Sequence, residues 1–288
     1  MKTKHLPKVG FILAMTVFGT MGPFVRAVGV SSGELALYRA IMAAVMIGAF
    51  LLVTRQSTSL KQSKKSLVLL LLSGAAMGFN WIFLFEAYKY TTVSVATLSY
   101  YFAPVLVTVL CPVLFKEKMK PLNWVCFIFS TLGLVLLTGL GDLSAGSSHF
   151  VGIGFGLCAA ALYATVMILN KYIKDVAGLQ RTFLQFIAAI AVLLPYVLLT
   201  GGMDLRVLDS TGWWCLLTLG IVHTGLTYCL YFSGLKALPG QKAAILSYID
   251  PLIAVVISVA VLKEAITPAQ LLGGTMILGF TLLNELKS

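Results

Sequence analysis

Charge is scarce in this chain. Asp, Glu, Lys and Arg together make up 11% of its 288 residues, and only ten residues are acidic, whereas a soluble globular domain carries about a quarter charged residues. Signatures of several chemistries are also missing. No GxxxxGK stretch is present to cradle a nucleotide phosphate, and no HExxH pair to hold zinc, so direct use of ATP and zinc-protease chemistry lack their constellations. The five cysteines, Cys111, Cys126, Cys158, Cys215 and Cys229, include no CxxC pair and no Cys/His ligand spacing. They are expected to pack as small apolar residues, without a disulfide or a metal, and no cofactor is expected.

Hydrocarbon fills the space that charge leaves. Hydrophobic residues make up 59% of the chain and the mean hydropathy is +0.96. About 20 apolar residues in a helix cross a bilayer core about 30 Å thick. Ten runs meet that length, over residues 8–28, 33–53, 66–88, 93–115, 121–140, 150–170, 179–200, 212–234, 240–262 and 267–286. These runs are too long and continuous for barrel strands, and lipid forces each backbone amide to pair within its own segment, so the expected class is an all-α polytopic membrane protein. The basic, then apolar opening is expected to be the first helix, being long for a signal-peptide core.

The net charge of +11 takes its meaning from its distribution. With ten crossings, sixteen Lys and Arg fall on the side of the two chain ends and four (Arg26, Lys89, Arg206 and Lys263) on the other, with Arg39 inside a span. That asymmetry predicts both termini in the cytoplasm of a bacterial-type inner membrane, with the basic excess facing anionic lipid. No nucleic-acid partner is expected.

The chain also repeats itself. "LSYYFAPVLVTVLCPVLFKEKMKP" resembles "ILSYIDPLIAVVISVAVLKEAITP", with Pro104, Glu117 and Pro121 each 147 residues before Pro251, Glu264 and Pro268. "GFILAMTVFG" from Gly10 is likewise similar to "GFGLCAAALY" from Gly154. Two five-helix units are expected, residues 1–145 and 146–288. Because five is odd, the second crosses the bilayer upside down relative to the first, the inverted repeat of secondary transporters.

Ionisable groups at bilayer depth cost about 2.5 to 3.5 kcal/mol on insertion scales, which makes each a functional candidate. Asp250 lies mid-way along the ninth span and His223 mid-way along the eighth. Pro251 removes a backbone donor beside that charge, so the turn is expected to bend and line a cavity. Two readings of Asp250 stand: a carboxylate for a substrate amine or a proton, or a capped packing residue. Ser247 sits one turn before Asp250, and Tyr100 is the equivalent position in the first unit. If the units face each other, Tyr100 and Asp250 share one space, with Trp81 as a second aromatic wall and His223 as a secondary contact. Arg39 and Glu86 fall at similar depth, which suggests an ion pair in an external gate, against separate snorkelling of each to the headgroups. Pro104 and Pro251 are expected hinges. Glu117 and Glu264, at span ends beside lysines, read as cap or loop anchors.

The proline-centred helix, its Lys-Glu end, the Pro-bearing turn and the Gly-rich helix after it (Gly133; Gly273 and Gly274) resemble the ten-helix EamA branch of the drug/metabolite transporter superfamily. Asp250 before the second proline and Arg39 early in the second span also fit that pattern. The resemblance covers nearly the whole chain. It implies an alternating-access carrier of small organic solutes, commonly an exporter of amino acids or related metabolites, in which protons are a candidate coupling ion. A monomer or a homodimer fits equally. Uptake of a quaternary amine is the rival within transport, and a non-transporting membrane assembly partner the rival outside it.

Overall fold

The computed structural model describes residues 6–54, 64–115, 121–138, 147–173, 176, 178–238, 243 and 246–287. Those residues are helical almost throughout, as a chain in lipid must be when each amide pairs internally. The first span is broken into α1 (Leu6–Gly19) and α2 (Met21–Ala27); α3 (Ser32–Val53) and α4 (Lys64–Tyr90) follow. The fourth span is also broken, into α5 (Val93–Tyr100) and α6 (Ala103–Phe115), and α7 (Pro121–Thr138) is the fifth. Next come α8 (Ser147–Tyr172) and α9 (Gly178–Thr200), then an eighth span of α10 (Ser210–Leu217), a π-helical stretch (Thr218–Leu226) and α11 (Thr227–Ala237). The described part of the ninth span ends in α12 (Ile249–Ala260), and α13 (Pro268–Lys287) is the tenth. Among the described residues seven spans are long and apolar enough to cross a membrane by length and composition, with shorter apolar helices at 121–137 and 249–260. Large apolar side chains such as Leu67, Leu72, Leu199 and Trp214 point outward, as expected where the surroundings are hydrocarbon.

Local chemistry sets the starts and breaks. Ser31 and Glu34 form a reciprocal capping box at the start of α3, satisfying two amides that the helix itself leaves open. Residues 29–33 read GVSSG, the spacing of a nucleophile elbow, but the Ser31 hydroxyl is engaged in this cap. Thr92 caps α5 by accepting from the Val95 amide at 3.2 Å. At the break in the first span the Thr20 hydroxyl turns back to the Val17 carbonyl at 2.8 Å. Pro104 stands second and Pro251 third in the helix that follows a break. Proline is tolerated in a first turn, where its missing N–H would be unpaired anyway. The expected mid-helix bends at these prolines are therefore full interruptions, with proline starting the new segment.

Packing follows a twofold pattern. Exchanging each span with the one five later maps α4 against α8 onto α11 against α1, and α4 against α9 onto the π-helical stretch against α3. The pairs α7–α13, α3–α9 and α5–α12 map onto themselves. In the first of these Phe129 stacks on Phe280 at 4.7 Å, while Gly273 lies against Gly133 and Leu137, so the two helices run antiparallel. A Cβ on Gly133 would meet the Gly273 carbonyl at 2.7 Å, so the backbones touch where a side chain cannot fit. Self-paired antiparallel helices require a twofold axis perpendicular to them.

Candidate functional site

A cavity of about 520 Å³ lies inside the bundle, with side chains from every span except the fifth on its wall. Asp250 enters it from the first turn of α12. The Tyr101 hydroxyl, from the break between α5 and α6, donates to Asp250 Oδ2 at 2.6 Å. Tyr100 stands edge-on to Tyr101, with ring centroids 5.9 Å apart, and leans on Tyr163 at 5.3 Å. The floor beneath is tight: a Cβ on Gly19 would meet the Asp250 carbonyl at 2.5 Å.

The two units contribute unequally here. On the 147-residue shift Tyr101 corresponds to Tyr248, whereas Asp250 corresponds to Ala103, which offers no acceptor. The buried Tyr248 hydroxyl, also on the cavity wall, has no hydrogen-bond partner among the described residues. One tyrosine holds the acid; its counterpart holds nothing.

Arg39 reaches the same cavity from α3 and is only 1% exposed. Its Nε donates to Thr224 Oγ1 at 3.0 Å, and the guanidinium lies over the Trp81 and Phe85 rings at 4.8 and 5.0 Å. The π-helical stretch positions Thr224, whose hydroxyl donates to the Leu219 carbonyl five residues back. Such stretches concentrate at functional sites.

A clamp of charged side chains lies past one end of the cavity. Beyond Tyr88, Arg26 pairs with Glu264 and donates to the Tyr88 carbonyl at 2.7 Å and the Thr91 carbonyl at 2.6 Å. Glu264 in turn accepts from the Val93 amide at 2.9 Å and from the Ser258 hydroxyl. Spans one, three, four and nine are thereby tied together. At the opposite end, where ten crossings bring the described chain ends together, the wall runs out to Gly178, Arg181, Leu235, Ala243 and Glu285.

The model of the EamA-like transporter family matches this chain twice, over residues 8–139 and 150–285. The chain belongs to that family. A Bacillus subtilis (strain 168) protein described as the uncharacterized transporter YxxF is 30% identical to this EamA-like transporter over 257 residues, spanning 89% of this chain and 82% of its own. The threonine/homoserine exporter RhtA of Escherichia coli (strain K12) is 26% identical over 268 residues, 91% of this chain and 82% of its own. A crystal structure of another protein matches with a TM-score of 0.67 at 17% identity, covering 99% of this chain and 98% of that one, a likeness of fold alone. Function in this EamA-like transporter is thus transport across a membrane, and the assembly-partner reading is set aside.

Asp250, Tyr100, Trp81, Ser247 and Pro104 all line the cavity of the EamA-like transporter, although the Ser247 hydroxyl donates to its own helix at the Ala243 carbonyl, 2.9 Å away. His223 is not on that wall. It is 2% exposed, held by Thr20 Oγ1 at 3.0 Å and packed on Phe24, so it fastens the eighth span to the break in the first. The expected Arg39–Glu86 pair does not form, because Glu86 takes Lys89 at 2.8 Å on its own helix. Pro251 is buried beside Asp250. Tyr101 is a site residue beyond those expected, and its signal in the sequence is its alignment with Tyr248 next to the duplicated prolines. Arg26 likewise lies beyond them, and Glu264 is expected only as an anchor.

Proposed function

We propose that this chain exports an amino acid or a closely similar small metabolite across the cytoplasmic membrane by alternating access, Asp250 being its central polar contact. The observation that carries the proposal is the buried carboxylate, oriented by Tyr101 and standing in a cavity large enough for such a solute. The relative RhtA is described as a threonine/homoserine exporter, which favours the same solute class here.

In this reading the two inverted units, residues 1–145 and 146–288, rock about the breaks that Pro104 and Pro251 begin. The distribution of basic residues favours both termini in the cytoplasm, and on that orientation the arrangement with Arg26 clamped to Glu264 is the inward-facing one. The solute enters from the side of Arg181 and Glu285, displaces water at Asp250, and leaves once the clamp parts. A coupling proton would be carried on the same carboxylate, in exchange for the solute.

Uptake of a quaternary amine has one observation in its favour, the tyrosines gathered round Asp250, since aromatic faces attract cations. Arg39 on the same wall opposes a solute that is purely cationic.

Flux of L-threonine and L-homoserine in proteoliposomes, with and without Asp250→Asn, tests the proposal. Transport by the unmodified protein that the substitution abolishes is the expected result. Equal flux in both would remove Asp250 from the mechanism, and flux of neither solute would remove the amino-acid reading.

A further inference from the structure

Arg39 is a buried cation without an anion. Among the described residues the ion pairs are Arg26–Glu264 and Lys89–Glu86, and Arg39 belongs to neither. Its Nη1 is buried without a hydrogen-bond partner. Burying a charge is unfavourable unless it is paired and hydrogen-bonded, and structural guanidinium groups in this same protein obey that rule. Arg181, also on the cavity wall, directs Nε, Nη1 and Nη2 to the carbonyls of Val176, Asn170 and Ile173 just past and within the end of α8. Arg26 is fully engaged in the clamp. Arg39 alone of the three holds an unsatisfied nitrogen beside a cavity, with its plane set by Trp81, Phe85 and Thr224.

Asp250 is the complementary case, since its one hydrogen-bond donor among the described residues is a neutral hydroxyl. The two charges reach one cavity, whose wall also carries Tyr88, Tyr100 and Tyr228. Glu285 is the other carboxylate on the wall, near the end of α13. A solute that satisfies Arg39 and Asp250 together must carry an anionic and a cationic end.

We infer that Arg39 is the anion-binding half of the site, receiving the carboxylate of a zwitterionic solute whose ammonium group sits at Asp250. This rests on the cavity being the solute site and deepens that reading: recognition spans both charged ends, and the side chain is left to the tyrosine-lined space. A guanidinium fork suits a carboxylate, because it offers two donors in one plane. Before solute arrives the charge is held by ring faces and one hydroxyl, which orient it without neutralising it.

The test uses the full-length carrier in proteoliposomes with L-threonine and L-threoninol, which differ in whether a carboxylate is present. The unmodified protein is expected to prefer L-threonine, and Arg39→Met to lose about ten- to a hundredfold of its L-threonine affinity while its affinity for L-threoninol changes little. Unfolding of the solute-free protein is the second readout. Arg39→Met removes an unpaired buried charge, so its melting temperature should equal or exceed that of the parent; a clear fall would assign Arg39 to packing and overturn the inference. An Arg39→Met protein that keeps the parent's preference for L-threonine overturns it as well, leaving the Asp250 carrier intact. A parent protein that carries no zwitterion overturns both.

Discussion

Arg26 and Glu264 lie 238 positions apart in the chain and meet at the end of the cavity beyond Tyr88. The pair joins the last turn of α2 to the segment just after α12, and both partners also hold backbone groups of the turn between α4 and α5. A third of the Arg26 side chain is exposed, so the ion pair itself contributes about 1 kcal/mol or less. Its importance is in what it closes. Glu264→Gln leaves Arg26, Ser258 and the Val93 amide without their shared anion, and should increase labelling of a cysteine introduced at the cavity residue Thr97 by an impermeant thiol reagent added from outside. Unchanged labelling would mean that the clamp is no gate.

Tyr101 and Tyr248 form an internal control. Tyr101→Phe removes the hydrogen bond to Asp250, and bonds to charged groups are worth about 1.5 to 3 kcal/mol, so solute affinity should fall at least tenfold. Tyr248→Phe removes a hydroxyl that bonds to nothing and should leave the melting temperature unchanged or slightly raised. Binding titrations and thermal unfolding on both variants check the pair.

Gly19→Ala is expected to impair transport without touching a polar group. Its new Cβ would meet the Asp250 carbonyl and the Ile253 side chain at 2.5 to 2.9 Å, and backbone cannot step aside as a flexible side chain would. The first turn of α12 would shift and carry Asp250 with it. Flux should fall more steeply than protein yield; wild-type flux would show that this turn has slack.

Lys263 adopts φ of 56°, in the left-handed region that an L-residue enters at a cost of about 1 to 2 kcal/mol. It follows a helix end where the Val261 and Leu262 amides both turn back to the Ile257 carbonyl, and it delivers Glu264 to Arg26. Lys263→Gly should preserve transport and hold or raise the melting temperature, whereas Lys263→Pro, locked near −65°, should unlatch the clamp. Thiol accessibility at the Thr97 position reads the difference.

Much of this was legible in composition and periodicity. Apolar runs about as long as the bilayer is thick locate helices because lipid permits little else, and the 147-residue shift located the paired breaks through Pro104 and Pro251. The site was half visible. Asp250 stood out as a charge amid aliphatic residues, and Tyr100 followed from the repeat. Partners were harder to read, because depth along a span says nothing about rotation around it. Arg39 and Glu86 share a depth, yet Glu86 finds Lys89 one turn along its own helix and Arg39 turns inward between two aromatic rings. His223 failed for the same reason, since its helix face points at Thr20 and Phe24. The π-helical stretch, which shifts that face, has no periodic signature to announce it.

The unmatched hydroxyl of Tyr248 carries a last implication. In the proposed alternating-access cycle, two copies with identical chemistry would make the open-inside and open-outside forms equivalent by a twofold rotation and equal in energy. An acid present in one copy and absent from the other lifts that degeneracy, so the resting population leans toward one face. Thermodynamics still requires the same final concentration ratio whichever way the cycle turns. The lean alters only how fast each direction runs when solute is far from that ratio, giving a duplicated machine a preferred stroke.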